Sequence, residues 1–395
     1  MMLKLNDKHF QVIEFDNIFK DEINNSKYFN ELENIAQTTE LLAYSKKGGL
    51  KSQNYVGIIQ TKSRFVLEIL PKISVNNDYE ESKKILIEMI KTLKNHPFKK
   101  ISTANLKTDK MPLLEIFISF FLNELDKLIK KGIKKDYVLQ QDNQRFLKGK
   151  LLINEQIKKN LVHKERFFVE YNEYIDDILE NRIIKATLKK LSKISKNFYN
   201  KKLIRKFLFI FDNVGEIKDL CELKKIYLDR SKKYYESVIK MCKIFLYDKS
   251  YTPYKGESIA FAILFDMNKL FESFVGHCFK NFSQGVKLQH KKFHLFDVEK
   301  KHRLIPDIVL GNKIFDTKWK ILKSLEDISG NDFYQMFVYV KKYDSKEVTL
   351  IYPKIYELEE KEFGFDENNK MKICFFDLKN YKNEIQRIVK DNIEN

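Results

Sequence analysis

Residues 304–319, Leu-Ile-Pro-Asp-Ile-Val-Leu-Gly-Asn-Lys-Ile-Phe-Asp-Thr-Lys-Trp, constrain this chain more than any other stretch. Two β-rich runs, 304–310 and 313–319, flank Gly311-Asn312, a two-residue hairpin signal. Closing that hairpin pairs Leu310 with Lys313 and Val309 with Ile314, and sets Asp307 opposite Asp316. Alternation then puts Lys318 on the Asp316 face, and Ile308, Phe315, Thr317 and the only tryptophan, Trp319, on a buried face. Two carboxylates opposed in this way have Cβ atoms about 5 Å apart and repel each other. A shared proton, a neighbouring cation or a bound metal has to relieve them. Hard oxygen donors beside a lysine suit Mg2+ better than a thiolate-seeking metal. Such an ion orients water and stabilises phosphoryl charge, while Lys318 steers the nucleophile or neutralises the transition state. The stretch reads as a candidate metal-dependent phosphodiesterase centre.

An acid two residues before a lysine is common in this chain, as Glu81-Ser-Lys83, Glu216-Ile-Lys218, Glu222-Leu-Lys224 and Asp344-Ser-Lys346 show. Most such triplets belong to a solvated surface. Asp377-Leu-Lys379 is the strongest competitor because it ends an apolar run, but its upstream acid Asp366 sits in a polar turn. Only 316–318 combines apolar flanks, a tight hairpin and an opposed aspartate after proline.

Pro306-Asp307, eight intervening residues and Asp316-Thr317-Lys318 resemble the PD-(D/E)xK nuclease motif. The longer string, Asp316-Thr-Lys-Trp-Lys320 followed by Gln335 and Tyr339, resembles the McrC family. Glu68-Ile-Leu-Pro-Lys72, the Gly149-Lys-Leu stretch and Asn181-Arg182 fit the same family. McrC is the nuclease subunit of McrBC-type 5-methylcytosine-dependent restriction systems. The resemblance implies that Asp307, Asp316 and the Thr317 carbonyl hold Mg2+, with Mn2+ as a substitute, and that Lys318 is catalytic. It adds Glu272 as a further acid offered to the metal, and Gln335 and Tyr339 as support for the site or the substrate phosphate. It also implies DNA as substrate and an McrB-like AAA+ GTPase as partner, contacted by the N-terminal part. Two centres are needed for a double-strand break, which implies a homodimer through the nuclease domain or the meeting of two complexes.

The chain in order gives a mixed α/β fold: a β-rich N-terminal module, a helical middle and a C-terminal nuclease core of mixed sheet flanked by helices. The corresponding domains are 1–140, 141–255 and 256–395. Residues 1–75 read mainly as strands and turns, including Phe10-Gln-Val-Ile-Glu-Phe and a run in which Phe65, Leu67 and Ile69 share a face. Helices are predicted over 80–93, stopped by Asn95-His-Pro97, over 112–129 and over 176–191. Residues 256–282 read as one long helix, in which Glu272 lies amid Phe271, Phe274 and Val275. After the hairpin, 332–343 reads as a helix with Gln335 and Tyr339 on one face, and 348–352 as a strand.

Composition enters where it excludes. At 395 residues and 43% hydrophobic, the chain builds a sizeable core and more than one domain. A formal net charge of +18 favours a polyanion such as nucleic acid, although an abundance of lysine throughout supplies much of it. No run is apolar enough for a membrane span, and the start lacks a signal-peptide core. Four scattered cysteines without a CxxC suit reduced, buried thiols in a cytoplasmic protein. His277, Cys278, His290, His294 and His302 raise a zinc site, but a single cysteine makes it weak. There is no GxxxxGK[ST], so this chain itself binds no nucleotide and any energy coupling falls to a partner. Two other readings compete: a self-sufficient PD-(D/E)xK nuclease, and a non-catalytic basic DNA-binding or assembly protein whose acidic pair is structural.

Overall fold

A computed structural model describes residues 3–93 other than 7, 24 and 77, then 111–246 and 259–393. The described residues form a mixed α/β protein with ten α-helices and several sheets. The chain divides into two compact units, 1–113 with 249–395, and 114–248.

The first unit holds two larger sheets. One is five-stranded, in the order Leu3–Asn6, His9–Ile13, Val66–Leu70, Tyr55–Thr61, Ile259–Asp266. Phe65, Leu67 and Ile69 are fully buried, as alternation predicts. Glu68 is also fully buried, and its environment explains how an acid survives there. It accepts from His9 Nε2 at 2.8 Å, Gln11 Nε2 at 2.7 Å and the Leu113 amide at 2.7 Å. Burial opposes its charge, but His9, Lys83 and Gln11 outweigh burial and hold the carboxyl below its usual range.

The last strand of this sheet corrects the sequence reading. Residues 259–266 are not the first half of a long helix: they pair antiparallel with Tyr55–Thr61. The run Ile-Ala-Phe-Ala-Ile-Leu-Phe is apolar throughout, so periodicity cannot separate a buried strand from a buried helix. The helix starts only at Met267, where the Asp266 side chain caps the Asn268 amide, and runs to Phe282. Residues 256–258 lie outside the described residues, as does the Asn95-His-Pro97 stop. A second correction lies in 1–75, where Ser26–Thr38 is helical. Asn25 caps it, and Tyr28, Phe29, Leu32 and Ile35 form its buried face.

The second sheet positions the site. Its six strands run Lys287–Leu288, Ile308–Leu310, Lys313–Thr317, Glu347–Pro353, Lys370–Phe376, Lys361–Gly364. The hairpin register is the one read from Gly311-Asn312: Leu310 faces Lys313, Val309 faces Ile314, and Ile308 faces Phe315. Gly311 supplies the positive φ of 57° that the turn needs. The Lys313–Thr317 strand pairs parallel with Glu347–Pro353, and the helix Gly330–Tyr343 makes the crossover between them. Met336, Tyr339 and Val340 of that helix pack with Val348, Leu350 and Tyr352.

The second unit contains a three-stranded sheet, Asp136–Gln144, Phe167–Ile175 and Lys150–Leu151, together with helices Leu179–Ile194, Phe198–Ile210 and Glu236–Leu246. Asn181 is fully buried and donates to the carbonyls of Lys134 and Asp176, while Tyr235 donates to it. Arg182 forks onto Asp177 with two bonds of 2.7 Å. The Asn181-Arg182 pair is therefore an internal brace of this unit.

All four cysteines are free thiols; Cys242, Cys278 and Cys374 are buried, but Cys221 is exposed, contrary to expectation. Among the described residues no helix is long and apolar enough to cross a membrane.

Candidate active site

Asp307 stands one residue before the first hairpin strand, and Asp316 on the second, where regular pairing has ended at Ile308 and Phe315. Freed from the ladder, Asp307 turns its Oδ2 onto Thr317, accepting from the amide and from the hydroxyl at 2.7 Å each. Alternation alone sent Thr317 to the far face; its hydroxyl instead steadies the first aspartate. Asp307 is half-buried and Asp316 almost wholly buried, at 1% exposure.

Lys318 follows on the same segment, fixed by its amide bonding to the Ile351 carbonyl at 2.9 Å. Its ammonium lies 2.6 Å from Asp316 Oδ2 and donates to Gln335 Oε1 at 2.9 Å. The Gln335 amide in turn donates to the Tyr339 hydroxyl at 2.8 Å. Gln335 and Tyr339 sit one turn apart on the crossover helix, so a chain of contacts runs Asp316, Lys318, Gln335, Tyr339. Tyr339 is only 3% exposed, which places its hydroxyl behind Gln335 and away from solvent.

The electrostatics are those of an under-neutralised pair. Burial, then the charge of Asp307, pushes the Asp316 carboxyl up to about 7 against the pull of Lys318, and Glu272 adds to the push. Burial also raises Asp307, against the two hydrogen bonds from Thr317. Burial lowers Lys318, but Asp316 and Asp307 outweigh it and hold the ammonium above its usual range. Lys318 is thus a fixed cation at neutral pH, and one positive charge does not balance a buried and a half-buried carboxylate.

Glu272 belongs to the Met267–Phe282 helix, is half-buried, and accepts from Gln289 Nε2 at 2.8 Å. It feels Asp316 electrostatically, but among the described residues no three His, Cys, Asp or Glu side chains gather closely enough to hold a metal together. The same finding removes the zinc reading. His294 accepts from Arg303 at 3.3 Å, and His277 pairs with Asn281 on its own helix.

A second layer escaped sequence reasoning. Asp332, at 5% exposure, takes Lys320 Nζ at 2.6 Å and the Tyr352 hydroxyl at 3.0 Å on one oxygen. Its helical spacing from Gln335 and Met336 was the available signal. Glu14 is the other: its Oε1 accepts from Trp319 Nε1 at 2.9 Å and the Lys72 amide at 3.0 Å. Its Oε2 is buried without a hydrogen-bond partner, and burial pushes the carboxyl up to about 8. The competing triplet is elsewhere engaged: Asp377 bonds the Lys379 amide, and Lys379 pairs with Glu81 at 2.5 Å.

The chain resembles solved structures. One chain of the refined half-complex from a tetradecameric assembly of Thermococcus gammatolerans McrB AAA+ hexamers with bound McrC superposes with a TM-score of 0.69 at 21% identity, covering 98% of this chain and 100% of that one. That likeness is one of fold. A chain of the Thermococcus gammatolerans McrBC complex gives a TM-score of 0.49 at 23% identity, covering 70% of this chain and 88% of that one. No curated protein matches. The family model described as McrBC 5-methylcytosine restriction system component matches residues 50–353, which contain the hairpin, Lys318, Gln335 and Tyr339. By that match the chain belongs to the McrBC 5-methylcytosine restriction system component family.

Proposed function

We propose that this chain is the DNA endonuclease subunit of a modification-dependent restriction system, a PD-(D/E)xK nuclease that works with an McrB-like AAA+ GTPase. The observation that carries the reading is the continuous set Asp307–Thr317 and Asp316–Lys318–Gln335–Tyr339, built on one hairpin and the crossover helix behind it.

The donor set fits a hard divalent cation. Asp316 Oδ2 is buried with the Lys318 ammonium as its polar neighbour at 2.6 Å, and the two raised carboxyls mark a deficit of positive charge that this one cation does not fill. Asp307, Asp316 and the Thr317 carbonyl would hold Mg2+, or Mn2+ in its place, with Glu272 outside that set and acting through its charge alone; Mg2+ commonly takes only one or two carboxylates and keeps several waters. When bound, such an ion polarises a phosphoryl oxygen and lowers the pKa of water.

The remaining work belongs to the chain. Water attacks phosphorus in line, the P–O bond to the leaving deoxyribose oxygen breaks, that oxygen takes up one proton to become a hydroxyl, and the other proton of the water passes to solvent. Lys318 offsets the charge that grows on the phosphoryl oxygens. Gln335 holds the ammonium in place by its carbonyl oxygen, and Tyr339 fixes which way the Gln335 amide faces. Lys320 and Asp332 anchor the segment that follows Lys318 to the crossover helix.

The partner reading draws support from the exposed side chains of the second unit. Tyr137, Leu139, Phe146, Leu147, Leu161 and Val162 are all more than half exposed around its long strand pair, and such apolar exposure marks protein contact. The resemblance assigns the contact with the motor to the N-terminal part of the chain, and these side chains offer a second surface for it. A double-strand break would need two nuclease centres, which suits a homodimer or two converging complexes.

The test is cleavage of methylated and unmethylated plasmid with Mg2+, with and without the GTPase and GTP. Wild type is compared with Asp316→Asn and Lys318→Ala. Cutting that requires the partner and both side chains supports the proposal. Cutting by the chain alone reassigns it as a self-sufficient nuclease, and variants that cut like wild type reduce the acidic pair to a structural feature.

A further inference from the structure

A cavity of about 800 Å3 opens in the first unit between its N-terminal strands and the loop that follows the catalytic hairpin. Five lysines line it: Lys46, Lys47, Lys51, Lys72 and Lys323. Asp16 is the one carboxylate among its lining residues. None of the five ammonium groups forms a salt bridge within 4 Å among the described residues, although Lys72 acts on Glu14 and Lys323 on Asp327 at longer range, whereas many other lysines of this chain do form one. Lys46, Lys47 and Lys323 are exposed, and Lys51 and Lys72 half-buried. Lys51 rests 5.8 Å from the centre of the Phe15 ring, and Phe15 itself holds a positive φ of 64°. Aromatic edges at Phe15 and Tyr44 thus interleave with the cations.

Five like charges around one concavity repel, and a folded protein gains nothing by gathering them unless an anion takes part. The concavity is far larger than a single phosphate requires, so the complementary ligand is an extended polyanion. It is also tied to the catalytic hairpin by two short links. Lys323 lies five residues beyond Lys318 on the same segment. Lys72 donates its amide to the Glu14 oxygen that also receives Trp319, the residue after Lys318.

We propose that this cleft holds the sugar-phosphate backbone of the DNA that flanks the scissile bond. The inference rests on the nuclease reading of the Asp316 site, and it adds a sequence-independent anchor to that reading. Lysines read phosphate and carry no base information, so the cleft sets where along the duplex the chain rests rather than which sequence it selects.

The experiment is equilibrium binding of the full-length chain to a short labelled DNA duplex across a salt series, without divalent ion. Wild type is compared with K46E/K47E/K323E and with K193E/K196E/K202E. The second set reverses as many exposed lysines in the other unit, so it controls for net charge. Each phosphate contact contributes about 0.9 to the slope of log K against log salt. The cleft variant is expected to bind at least about tenfold more weakly and to lose about two to three units of slope, with an unchanged melting temperature. The control set should keep nearly all of the wild-type slope.

An unchanged slope in the cleft variant overturns the proposal, as does a wild-type chain that binds no duplex at all. Loss of association with the GTPase, with DNA binding intact, would reassign the cleft to a protein partner. Parallel cleavage by wild type and Asp316→Asn keeps the two ideas separate. If Asp316→Asn abolishes cutting while the cleft variant binds normally, the cleft fails and the nuclease stands. If Asp316→Asn still cuts, the nuclease reading fails whatever the slopes show.

Discussion

Lys318 is the residue on which the electrostatics of the site turn. Among the described residues it is the one cation within contact of Asp316, and Asp316 is already pushed toward neutrality by burial and by Asp307. Lys318→Met should lower the cleavage rate by about 10^2-fold or more, the range seen when one charge-stabilising donor is removed. Single-turnover rates check this, with far-ultraviolet circular dichroism showing that the fold persists. Gln335→Leu keeps the charge and removes its tether. The expectation is a smaller loss, roughly tenfold, which Gln335→Glu partly rescues because a carboxylate still accepts from Lys318 and can accept from the Tyr339 hydroxyl.

Glu14 gives a pH-dependent prediction with a definite sign. Its folded carboxyl is raised from 4.5 to about 8, so between those values the folded chain retains a proton that the unfolded chain has lost. Stability contributed by this group is therefore fully present below about 4.5 and declines as pH rises toward 8. The unfolding free energy from urea titrations should fall over that window by an amount on the order of a few kcal/mol. Glu14→Gln retains an acceptor for Trp319 and should flatten the dependence. A wild-type profile that is already flat would show that Glu14 ionises freely.

At the scale of elements, two-residue turn chemistry and alternation were enough to place the hairpin in its observed register. Family resemblance then led to the crossover helix that carries Gln335 and Tyr339. The limits of legibility are equally physical. Phe261, Ala262, Ile263, Leu264 and Phe265 are apolar on both faces of the strand because both are buried, and such a run carries no period. Thr317 shows that a Cβ direction does not fix where a hydroxyl reaches. Asp332 and Glu14 act across 12 and 305 residues of sequence, on Lys320 and Trp319, and such long-range partners leave no local mark. The strand at 259–266 makes a further prediction through Gly57, whose φ is +132°. A Cβ there would lie 2.1 Å from the Ile263 carbonyl oxygen. Gly57→Ala should therefore destabilise the chain by roughly 2–3 kcal/mol, read from denaturant midpoints.

At the scale of the whole molecule, the unit that carries Asp307 and Asp316 is made from residues 1–113 and 249–395, and residues 114–248 form a separate compact unit. The five-stranded sheet takes its outer strand from 259–266, and Trp319 reaches back to Glu14. This arrangement has a consequence during synthesis. A ribosome adding about 5–20 residues each second needs tens of seconds to pass from Glu14 to the strand at Glu347–Pro353 that backs Asp316. Throughout that interval the separate unit can fold, but the acidic pair has neither its crossover helix nor its parallel neighbour. On the nuclease reading proposed above, a chain still being made therefore has no assembled acidic pair, and the site comes together only once the strand ending at Pro353 has emerged.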